Sequence, residues 1–110
     1  MAAELPDRER VAKALDYLVG SDEPYAKACA SLEAAEMAQK QAREIAFLEA
    51  EGTQGERASK ANASGAVKLA GKAVEAAVFE KELLKARRAT ALVLIEVWRS
   101  LNSNQRAGVV

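Results

Sequence analysis

The chain has 110 residues with 16 Lys/Arg against 16 Asp/Glu and no histidine, which removes the commonest general base and metal ligand. Half of it is apolar, which marks a folded single domain, but alanine fills 25 positions and aromatics make up only 5%. At about 25 cal/mol per Å² of buried apolar surface so much alanine excludes a large globular core, and closely packed helices, joined by other copies of the chain, suit it better.

The N-terminus, MAAELPDRER, has acids and no apolar stretch, so it is not read as a signal peptide. A short helix is expected over residues 7–19. Proline suits its first turn, Val11, Leu15 and Leu18 form one apolar stripe, and Gly20 is expected to end it. Ser21-Asp22-Glu23-Pro24 then reads as the start of a long helix over about 24–51. Its seam is expected at Leu32, Ala35, Ala42, Ile45 and Glu49, mostly alanine, so that two helix backbones approach closely. Cys29 stands alone on this helix, which rules out a disulfide or a cysteine zinc site within one chain.

Residues 52–64, GTQGERASKANAS, form the expected turn. Gly52 reads as the glycine after a helix end, and Thr53 with Glu56 has capping-box spacing, so a short helix over 54–61 is expected before Ser64 caps the next one. The last helix is expected over about 65–101, with Ala70, Ala77, Leu84, Ala91 and Trp98 at seven-residue steps and Val67, Val74 and Ile95 on the companion positions. Leu84, Ala91, Ile95 and Trp98 are the expected packing positions between copies. Leu83, Leu94, Val97 and Leu101 widen the apolar surface, and residues 102–110 read as a polar tail. The most apolar run, 89–101, is broken by Glu96 and Arg99 and is shorter than the roughly 20 residues of a membrane span. A cytoplasmic protein without membrane contact is expected.

Several motifs carry no chemistry. GAVKLAGKA, residues 65–73, has five residues between its glycines and alanine after the lysine, so it is not a phosphate loop. Asn62-Ala63-Ser64 has a glycosylation spacing without a secretory signal. The carboxylates near one another, such as Glu33 with Glu36 and Glu80 with Glu82, read as solvated helix faces. No catalytic residue, cofactor or metal site is expected.

Charge is unevenly spread. Residues 1–59 hold 7 Lys/Arg against 12 Asp/Glu, and residues 60–110 hold 9 against 4. Acidic and basic helices that face one another account for this split, and so does a basic half that meets a polyanion. The candidate phosphate-binding cations are Arg43, Arg57, Lys60, Lys68, Lys72, Lys81, Lys85 and Arg88, with Lys81, Lys85 and Arg88 on one helix face. Trp98 reads as a packing anchor or, beside Arg99, as a base-stacking platform.

Two blocks, AREIAFLEAEGTQGERASKANAS (residues 42–64) and ALVLIEVWRSLNSNQRAG (residues 91–108), resemble a group of small helical proteins of tailed phages and prophages, encoded near recombination and single-strand-binding genes. More distantly, the arrangement resembles the UvsY-type recombination mediators of phages, whose helical subunits form a ring and help load a recombinase on single-stranded DNA. In those mediators the helix entering the turn is basic, whereas residues 43–51 here hold one arginine and three acids. The resemblance therefore carries over Arg43, Arg57 and Lys60 alone. It implies a non-enzymatic recombination or replication accessory that binds single-stranded DNA and a recombinase or single-strand-binding protein. The alternative is a purely protein-binding helical adaptor or inhibitor. The two separate on whether acids of residues 33–56 consume the cations of residues 57–88. The expected fold is all-α: an antiparallel hairpin of two long helices with a short N-terminal helix, as a homo-oligomer.

Overall fold

The computed structural model describes residues 5–108, with side chains up to residue 105. It is all-helical. The helices are α1 (Arg8–Glu49), α2 (Gln54–Ala63) and α3 (Gly65–Gly108), and α1 packs against α3 as a helical hairpin.

Each start is capped by the chain itself. The Arg10 amide donates to Asp7 Oδ1 at 2.8 Å, the Glu56 amide to Thr53 Oγ1 at 3.2 Å and the Val67 amide to Ser64 Oγ at 3.2 Å. These bonds satisfy amides that have no partner within the helix. After α1 the chain reverses through Gly52 at φ +119°, where a Cβ would run into the Glu56 carboxylate. Only glycine fits both conditions.

The expected break between residues 19 and 24 is absent. α1 runs through Gly20 and Pro24 as one helix, so the short N-terminal helix is the first part of a long one. Pro24 has no N–H for the Gly20 carbonyl, a defect of about 3 kcal/mol in a helix interior. The inward register outweighs it: Val11, Ala14, Leu18, Ser21 and Tyr25 alternate steps of three and four across the site, all buried or half-buried. At the other end α3 continues to Gly108, so residues 102–108 are helical and not a tail, while Val109 and Val110 lie outside the described residues. Asn102 is half-buried and lines a recess with Pro6, Asp7 and Arg8, which extends the packing past residue 101.

The packing falls into two compact units, one from the residues up to Tyr25 and from Leu83 onward, the other Ala26–Glu82. In the second unit Ala28, Leu32, Ala35, Gln39, Ala42 and Ala46 face Val67, Ala70, Val74, Ala77 and Lys81. Gly71 sits so near Gln39 that a Cβ would lie 3.1 Å from its side-chain nitrogen. Ile45, assigned to this seam from the sequence, is instead 56% exposed, because Gln39 and Ala46 hold the inward register.

In the first unit the α3 seam is Leu84, Arg88, Ala91, Ile95 and Trp98. Four of these were expected to pack between copies. Their burial arises within one chain, since they occupy the face that α3 turns to α1, and Trp98 lies beside Pro6, Asp7 and Arg8. Arg88 holds an apolar position in this seam. Its guanidinium donates to the Leu18 carbonyl at 3.0 Å, to Ser21 Oγ at 2.7 Å and to Asp22 Oδ1 at 2.7 Å, and it lies 5.5 Å from the centre of the Tyr25 ring. Ser21, 4% exposed, donates its own hydroxyl hydrogen bond to the Leu18 carbonyl at 3.3 Å.

Arg88→Leu should lower unfolding free energy by about 1–3 kcal/mol, because buried Ser21 and the Leu18 carbonyl lose a charged donor. Asp22→Asn should cost less than about 1 kcal/mol, since that carboxylate is 68% exposed. Pro24→Ala should raise stability by restoring an exposed helix bond. Urea unfolding followed by circular dichroism measures all three.

Candidate nucleic-acid interface

The structure sorts the nine expected cations into two groups. Arg43 donates through Nε to Asn62 Oδ1 at 3.0 Å. Arg57 donates through Nε to the Phe47 carbonyl at 3.1 Å, and its guanidinium lies 4.5 Å from the centre of the Phe47 ring. Lys60 Nζ donates to the Glu51 carbonyl at 2.7 Å. With Arg88 these four fasten helix to helix or helix to turn. These bonds lie within the chain, Arg43 and Lys60 staying exposed, and the partners are carbonyls, an amide, a hydroxyl and Asp22 rather than the acids of residues 33–56.

The other five, Lys68, Lys72, Lys81, Lys85 and Arg99, have no hydrogen bond or ion pair among the described residues. Lys81 is half-buried in the seam and the rest are exposed. The row expected from Lys81, Lys85 and Arg88 is thus divided, with two members in the α1–α3 seam and Lys85 outside it.

One outward stripe in the second unit has the residue types that single strands require. Ser64 fixes the start of α3, and from there Lys68, Lys72 and Phe79 fall within about 40° of one another around the helix at 100° per residue. Lys68 and Lys72 are one turn apart, so their ammonium groups can meet neighbouring phosphates. Phe79 is 70% exposed, although an isolated phenylalanine gains more from burial. Leu69, 71% exposed, and Ala76 continue the stripe on one side, and Glu75 borders it on the other. Sequence reasoning looked to Trp98 for stacking and passed over Phe79. The signal was present, since Phe79 follows Lys72 by the same seven-residue step that defines the seam.

Two other features bear on chemistry. Among the described residues no group of three Cys, Asp or Glu side chains could hold a metal ion, and no helix is long and apolar enough to cross a membrane. Comparison with protein-family models, with curated proteins and with solved structures finds no match to this chain.

The division of the cations is open to measurement. Arg57→Ala should cost about 1–2 kcal/mol of stability through the lost carbonyl bond and ring contact. Lys68→Ala and Lys72→Ala should stay within about 0.5 kcal/mol of the parent. Thermal unfolding of the three variants side by side tests this.

Proposed function

We propose that the chain is a non-enzymatic accessory protein of phage recombination or replication, which works as a cytoplasmic homo-oligomer and binds single-stranded DNA along α3 beside a recombinase or single-strand-binding protein. The observation that carries this reading is the exposed stripe of Lys68, Lys72 and Phe79. Lysines supply backbone attraction, and an aromatic face supplies sequence-tolerant stacking on a base. The resemblance of residues 42–64 and 91–108 to small helical phage proteins encoded near recombination and single-strand-binding genes supports the same setting.

A protein-binding adaptor or inhibitor is the second reading. It is favoured by large apolar side chains left in water, among them Val19 and Leu48, each 74% exposed.

Fluorescence anisotropy with a labelled single-stranded oligonucleotide over a salt series decides between them. Each lysine on a phosphate should contribute about −0.7 to the log–log slope, so Lys68→Ala with Lys72→Ala should flatten it by about twice that. Phe79→Ala should weaken binding by about 1–3 kcal/mol and leave the slope alone, because stacking releases no counterions. Absence of binding at about 50 mM salt would overturn the nucleic-acid reading in favour of the adaptor.

A further inference from the structure

The chain carries two apolar surfaces with borders of opposite charge. The first is a groove in the unit that holds both ends of the described chain. Its floor is apolar, formed by Ala14 and Tyr17 of α1 with Ala91 and Leu94 of α3, and it encloses about 470 Å³. Three cations stand around it, Arg10, Lys13 and Arg87, and no acid lines it. Lys13 pairs with exposed Glu9 at 3.4 Å, a pair that exchanges readily with another carboxylate. The Tyr17 hydroxyl is buried without a hydrogen-bond partner among the described residues, so the groove wall holds a donor that lacks an acceptor.

The second surface lies on the other unit, where α1 raises an apolar ridge. Met37, Ile45 and Leu48 are 63%, 56% and 74% exposed and, with Gln41 between them, share one helix face. Glu44 and Glu49 flank it on opposite sides, both exposed. An apolar helix face bordered by acids is the chemical counterpart of an apolar groove bordered by cations.

We propose that the Met37–Leu48 ridge of one copy docks into the basic-rimmed groove of a second copy, with Met37, Ile45 and Leu48 over the alanine floor and Glu44 and Glu49 toward Lys13 and Arg87. This rests on the homo-oligomeric reading above and replaces the seam positions as the contact between copies. Groove and ridge are different surfaces, so the contact is heterologous. Each copy that joins leaves one groove and one ridge open, and assembly proceeds until the set closes on itself or forms a filament.

Sedimentation velocity of the full chain over a concentration series tests it. The parent should associate, and Arg87→Glu and Leu48→Glu should each weaken association by about tenfold or more, with Met37→Lys as a second variant on the ridge. All three positions are exposed, so helicity should be kept, which circular dichroism checks. Lys85→Glu, an exposed cation of α3 outside the groove, should associate like the parent. When Arg87→Glu and Leu48→Glu are mixed, the intact ridge of the first and the intact groove of the second should form a one-to-one complex that grows no further. A parent that stays monomeric overturns both the oligomeric reading and this interface. A parent that associates while all three groove and ridge variants match it overturns the interface alone.

Discussion

The spacing of small residues along α1 governs most of what this protein does with its side chains. Ala14, Ser21, Ala28, Ala35 and Ala42 stand at every seventh position of the inward face. They let α3 approach closely, as the fit of Gly71 against Gln39 illustrates. A seam of this kind buries little apolar area. Among the described residues the buried apolar set is Val11, Ala14, Ala28, Ala61, Val67 and Ala91, and no large side chain is wholly enclosed. Stability must therefore draw on polar bonds at defined points, and many large apolar residues have no place inside.

That constraint explains how the basic residues divide. Three arginines bond from one helix to another: Arg43 of α1, exposed, to Asn62, Arg57 to the Phe47 carbonyl and ring, and Arg88 to three acceptors around Ser21. A planar guanidinium with several fixed donors can join acceptors on another helix and still lie flat on an aromatic ring. The lysines of α3 have a flexible stem and a strongly hydrated head, and Lys68, Lys72 and Lys85 remain in water. Residues of one charge thus take opposite roles, and since Lys60 bonds the Glu51 carbonyl while Arg99 stays exposed, the acceptors within reach decide as much as the side-chain type.

The same constraint leaves apolar surface for others to cover. Phe79 and Leu69 face outward on α3, and Met37, Ile45 and Leu48 on α1. These side chains, unlike those of the seam, keep much of their apolar surface in water. A thin core and sticky outer faces are the two consequences of making one helix from alanine on its inner side.

Much of this was legible in the residues themselves. The heptad series of α3, the Thr53–Glu56 cap, the glycine at 52 and the serine at 64 all rest on local rules, and each stands where those rules place it. The division of α1 at Gly20 and Pro24 failed because local propensity favours a break, whereas packing of Leu18, Ser21 and Tyr25 in one register favours continuity. Ile45 was misplaced for a related reason: an apolar residue at nearly the right step looks buried until the partner helix selects Gln39 and Ala46. Composition, periodicity and capping chemistry determined that the chain is a helical hairpin with a seam of small residues. Only the tertiary structure decided which cations are consumed, that Trp98 lies against residues 6–8 and that Phe79 faces water. Those outcomes depend on what stands across the helix pair, and the sequence separation of such partners, 66 residues between Asp22 and Arg88, hides it from any local rule.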